Sequence, residues 1–141
     1  MKQKFAVIIS ILFLSFSFNA VATADTDDAR QEAAVLELID ANTEIYELIY
    51  QEVEKSEVLV ADYELKIAEE TDASKKLEIQ NELDAKIEEL VKNLQVKAEE
   101  MTKNAIEEAA KHGIIAECEL VEVEIYGKKY LVDPGKIIDM V

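Results

Sequence analysis

Tryptophan is missing from this chain, and proline, cysteine and histidine occur once each. A single cysteine excludes a disulfide framework and a multi-cysteine zinc site. A single histidine excludes a multi-histidine metal cluster. The three glycines all lie beyond position 112, and no stretch forms a Gly-rich phosphate loop, a nucleophile elbow or a calcium loop. Positive charge is also scarce, with 15 Lys and Arg against 31 Asp and Glu, a net of −16. Nucleic acid is therefore an unsuitable ligand, because its phosphates reward clustered Lys and Arg. All four phenylalanines stand at positions 5, 13, 16 and 18, so five tyrosines are the only aromatics of the remainder. A core of Leu, Ile, Val, Ala and Tyr favours thin, elongated packing over a deep ligand pocket. These absences argue against an enzyme and against a cofactor or metal.

The chain opens on a leader. Lys2 and Lys4 precede an apolar run from Phe5 to Phe18, and Ala22-Thr23-Ala24 offers the small residues accepted at a signal-peptidase site. The run falls short of the about 20 apolar residues that cross a bilayer. Residues 1–24 are expected to be a cleaved signal peptide. The product would be secreted or extracytoplasmic (periplasm or cell envelope), with no membrane attachment after cleavage.

Residues 25–112 read as helix. They contain no Gly or Pro and are dominated by Ala, Glu, Leu, Lys, Ile and Val. Lys111 and His112 suit a last turn, and Gly113 suits the left-handed position beyond it. The one interruption is Glu70-Thr71-Asp72-Ala73-Ser74, rich in cap-forming side chains. It divides the segment into arms of about 28–70 and 72–112, each roughly 60 Å long. The expected fold is mainly α: a long antiparallel, coiled-coil-like helical hairpin followed by a small C-terminal β-hairpin. A continuous rod is the rival.

The arms carry different apolar rhythms. Ile39, Tyr46, Val53, Val60 and Ile67 repeat every seven residues, with Asn42, Ile49, Ser56, Tyr63 and Glu70 as a weaker second column. Leu38, Ile45 and Leu59 widen that stripe to one side. In the second arm Leu83, Ile87, Leu90, Leu94, Ala98, Met101 and Ala105 follow an 11-residue repeat. Seven and 11 favour opposite supercoil hands, which disfavours one long uniform coiled coil.

Within residues 113–141 the period changes to two. Val121, Val123 and Ile125 alternate with polar neighbours, and Lys129–Val132 follows Gly127-Lys128. A turn on Gly127-Lys128 sets Ile125 opposite Tyr130 and Val123 opposite Val132. Asp133-Pro134-Gly135 ends the ladder. The apolar face is expected to dock on the helices, with Ile137, Ile138, Met140 and Val141 adding to the closure.

Chemistry is poorly represented. His112 reads as a helix-end charge and Cys118 as a small core residue or, alternatively, an intermolecular disulfide. The stronger signal is the distribution of charge. Residues 25–70 hold 15 acidic and 3 basic residues, against 10 and 7 in residues 71–112. The second arm sets Glu82–Lys86, Glu88–Lys92, Glu99–Lys103 and Glu107–Lys111 at pairing distance along the helix. The first arm is left with an unbalanced negative face. The expectation is a non-enzymatic interaction or structural protein that binds a protein partner, or itself, through Leu38, Ile45, Tyr50 and Leu59 with Glu44 and Glu47. A chaperone-like binder of apolar or basic segments is the alternative.

Overall fold

The computed structural model describes residues 26–140. The leader expected at 1–24 and the tail residue Val141 lie outside the described residues. Two long helices, α1 (Thr26–Glu69) and α2 (Ala73–Ala110), pack against each other and are followed by four short strands. The helical hairpin is therefore real, and the rod is not.

The turn between the helices is made by two carboxylates. Glu70 Oε1 accepts from the backbone N–H of Thr71 at 2.8 Å and of Asp72 at 2.9 Å. Asp72 then caps α2, its Oδ1 accepting from Ser74 N at 2.8 Å and Lys75 N at 3.1 Å. Four N–H groups are thus satisfied with no glycine at the turn. At the far end of α2, Gly113 takes φ +77° and its N–H reaches the carbonyl of Ala110.

The seam of α1 differs from the strongest heptad in the sequence. Leu38, Ile45, Ile49 and Tyr63 are buried, whereas Ile39 is exposed. The columns that contain Leu38 and Asn42 face α2. At about 100° per residue, the Ile39–Tyr46–Val53 column is turned to one side of them, where the strands lie. Two polar residues enter this seam with partners: Ser56 Oγ donates to the Val53 carbonyl at 2.6 Å, and Glu52 meets Lys55 at 2.5 Å. On α2 the fully buried set is Leu83, Ile87, Val91, Leu94, Ala98, Thr102 and Ala109. The 11-residue rhythm holds, since Leu83 and Leu94, Ile87 and Ala98, and Val91 and Thr102 stand 11 apart. Val91 and Thr102 are deeper than Leu90 and Met101 of the expected stripe.

The C-terminal segment forms more strand than expected. β2 (Val121–Ile125) and β3 (Lys128–Val132) pair as a hairpin, and β1 (Ile114–Cys118) pairs with β4 (Gly135–Met140). Only two residues separate β1 from β2 and β3 from β4, so the whole is one antiparallel ribbon bent in the middle. The expected hairpin register is corrected by two residues. The turn is Tyr126-Gly127, with φ +51° and +71°, and it sets Val123 opposite Tyr130 and Val121 opposite Val132. Positive φ at both positions is the mirror-image turn that matches strand twist. A slip of two preserves the faces. Val123, Ile125 and Val132 accordingly join Ile45, Ile49, Leu83 and Ile87 in the main core.

The bend of the ribbon is the point of attachment. Asn42 Nδ2 donates to the Gly135 carbonyl at 2.7 Å, and Gly135 N donates to Asn42 Oδ1 at 2.9 Å. The hydroxyl of Thr102 donates to the Asp133 carbonyl, and Glu119 N donates to the Pro134 carbonyl at 2.7 Å. Gly135 sits so close to both helices that a Cβ there would lie 3.4 Å from Leu38 Cδ1 and 3.7 Å from Thr102 Cγ2. Further along α2, Gln95 Nε2 donates to the Leu131 carbonyl and Gln80 Nε2 to the Tyr126 hydroxyl. The ribbon is thereby pinned over one face of the helix pair, on the side of Asn42 and Tyr46.

Candidate partner-binding face

Among the described residues, the opposite face of the helix pair carries no strand. Two adjoining depressions of about 310 and 330 Å³ run along it between α1 and α2. They share Glu44 and Met101, so they form one groove. Its floor is Ala34, Ala41, Leu48, Met101 and Ala105, and its walls carry Glu37, Glu44, Glu47, Glu100 and Glu108 with a single cation, Lys97. A broader depression of about 760 Å³ on α1 continues the line past Lys55, Val58, Leu59 and Asp62. The spacing explains the face: Glu37, Ala41, Glu44, Leu48 and Gln51 recur every three or four residues and so share one side of α1.

The walls are electrostatically unequal. Glu108 is held below the usual carboxylate range, first by a hydrogen bond from Lys111 and then by the charges of Lys111 and His112. Lys111 Nζ lies 2.5 Å from it, and His112 Nε2 lies 3.8 Å away. By contrast, Glu37, Glu44, Glu47 and Glu100 make no ion pair among the described residues. Lys103 and Lys111 turn to Glu107 and Glu108 rather than to the expected Glu99 and Glu107, while Glu82–Lys86 closes at 3.9 Å. The negative field of the groove therefore comes mainly from α1.

Several residues singled out in the sequence stand elsewhere. Ile45 is 0% exposed and belongs to the helix seam, whereas Leu38, 2% exposed, is packed in the seam and reaches the groove only as part of its floor. The stripe they were expected to leave bare is covered by α2, and the ribbon covers the opposite flank. Leu59 is half-buried at the margin of the open face. Tyr50 is exposed but lies on the rim nearer the ribbon, away from the groove. Glu44 and Glu47 are exposed and line the groove. Ala41 and Leu48 escaped the sequence reading because small or half-buried side chains scarcely mark a stripe, while Met101 and Ala105, expected in the second arm's apolar stripe, line the groove. The i, i+7 pair Ala41–Leu48 between glutamates was the available signal.

Cys118 is exposed at the end of β1, which overturns its reading as a buried core residue. Partial burial, followed by the charges of Asp133, Glu99 and Glu117, pushes its thiol pKa up. Burial, and then the charge of Glu119, likewise raises the Tyr46 phenol. Among the described residues no cluster of His, Cys, Asp and Glu fits a metal ion, and no helix is long and apolar enough to cross a membrane. Comparison of the chain with protein-family models, curated proteins and solved structures finds no match.

Proposed function

We propose that this is a non-enzymatic interaction protein working outside the cytoplasm, which holds a basic polypeptide partner against the open face of its helix pair. One observation carries the reading. The ribbon satisfies one face of the helices, while the other keeps an apolar-floored groove whose α1 wall carries Glu37, Glu44 and Glu47, none of them in an ion pair among the described residues. A groove of one sign focuses potential and draws a partner of the other.

The test uses a photo-crosslinking amino acid in the native host, placed at Gln51 in the groove or at Glu124 on the exposed side of the ribbon. Gln51 should yield an adduct with a polypeptide recovered from the extracytoplasmic fraction, and Glu124 should not. No adduct at Gln51, or the same adducts from both positions, contradicts the proposal. The chaperone-like alternative has one observation in its favour: Val58, Leu65 and Leu77, near the free end of the helical hairpin, are 72%, 65% and 61% exposed. Many unrelated segments captured at Leu65, and none selectively at Gln51, would select that reading.

A further inference from the structure

Both walls of the groove are α-helix, and a helix interior keeps its backbone N–H and C=O groups in its own ladder. The groove thus offers an incoming chain side chains only. An extended segment laid along it would press unpaired amides against an apolar floor, at a cost for each group left without a partner. A helical segment brings its hydrogen bonds with it. The floor suits such a guest: Ala41 and Ala105 leave room for a ridge to enter, and Met101 is flexible enough to fill what remains. The walls set the guest's charge: Glu44 and Glu47 stand on the α1 side, while on the α2 side Glu100 is accompanied by Lys97, so the attraction for cations is strongest along α1.

We propose that this groove receives an amphipathic α-helix of the partner. Its apolar stripe would lie on Ala41, Leu48, Met101 and Ala105, and Lys or Arg would flank that stripe chiefly on the side that meets α1. The proposal rests on the open face being the partner surface, and it adds the conformation and charge of what binds there. The groove runs beside α1 from Ala34 to Gln51. Those 17 steps span about 25 Å, so the guest helix has about five turns.

The probe is a dye-labelled synthetic peptide of about five helical turns, with Leu and Ala at a and d heptad positions and Lys chiefly on one flank. It is titrated by anisotropy against the natively processed protein, beside a scrambled peptide of identical composition and a peptide with Glu in place of Lys. The patterned peptide should bind at least about tenfold more tightly than either control, a difference that pattern and charge together readily supply. Its circular dichroism should become helical on binding. Ala41→Arg with Ala105→Arg should weaken binding about tenfold or more. Glu44→Lys with Glu47→Lys alters exposed side chains only, and should weaken binding more at low salt than at high salt. Equal affinity for the scrambled peptide, no gain of helicity, or displacement by spermine at matched charge overturns the proposal. So does a Gln51 adduct that maps to an acidic or extended segment, a result that leaves the broader function standing. Absence of any Gln51 adduct removes both.

Discussion

Asn42 joins the two halves of the molecule. Its amide both donates to and accepts from Gly135, across 93 positions of sequence. Gly135 is buried, so truncation of Asn42 leaves an N–H and a C=O unpaired away from water. We expect Asn42→Ala to lower stability by about 2–3 kcal/mol. Thr102→Val, which keeps its shape and orphans one carbonyl, should cost about 1–2 kcal/mol. Urea unfolding of the three proteins checks the order; equal stabilities would mean that the ribbon bend is not the attachment point. Tyr63 supplies a second residue-scale test. Its hydroxyl donates to Glu82 Oε1 at 2.6 Å. That bond, then burial and the charges of Glu82 and Asp62, push its pKa from 10.0 up to about 12. The fold favours the neutral phenol, so this stabilisation is complete below pH 10 and is lost as pH rises toward 12. Tyrosinate absorbance should show a late phase near pH 12 that Tyr63→Phe deletes.

At the scale of elements, most of the helical half was legible and most of the strand half was not. The absence of Gly and Pro before position 113, with Asp72 and Gly113 as end signals, placed the helix ends to within two residues, although α2 stops at Ala110 and leaves Lys111 and His112 beyond its last turn. Local backbone chemistry decides such boundaries, and it is written locally. The seam was harder. Three adjacent columns of α1 are apolar because that helix is covered by α2 and by the ribbon at once, and pattern alone does not say which column meets which neighbour. β1 and β4 were missed because Ile114–Cys118 and Gly135–Met140 alternate poorly, and because their pairing closes over about 20 intervening residues. The hairpin turn was misplaced by one residue, and the register by two, because Tyr126 carries a positive φ that a tyrosine rarely adopts. Gly127 makes the turn testable. A Cβ there would meet nothing within 4 Å, so any loss is conformational. Gly127→Ala should destabilise by about 1–2 kcal/mol, the cost of an L-residue in the left-handed region. A Gly127→Ala protein as stable as the original would argue for a different turn.

For the molecule as a whole, charge and architecture act in opposite directions. Asp and Glu exceed Lys and Arg by 16, and Glu37, Glu44 and Glu47 follow one another along the α1 side of the open groove, whose lining holds Lys97 as its one cation. Self-repulsion of this kind weakens the compact state and is screened over about 10 Å at 0.1 M salt. Thermal unfolding should therefore move to higher temperature as sodium chloride rises from low to physiological concentration. Glu44→Lys with Glu47→Lys should shrink that increment; an unchanged increment would locate the repulsion elsewhere. A partner of opposite charge would relieve the same strain, which links stability to binding through one set of side chains.

The division of the helix pair into a covered and an open face can be read directly by thiol labelling. In a Cys118→Ser background, single cysteines are placed at Glu37, Glu44, Leu48 and Gln51 on one side and at Asn42, Tyr46, Ile49 and Val53 on the other. Maleimide rates are measured on the folded protein, alone and with the cationic helical peptide. The first row should react as surface thiols and become protected when the peptide is added, while the second row reacts slowly throughout. Equal rates in both rows, or protection by the peptide that falls outside the first row, would contradict the structure and function argued from it.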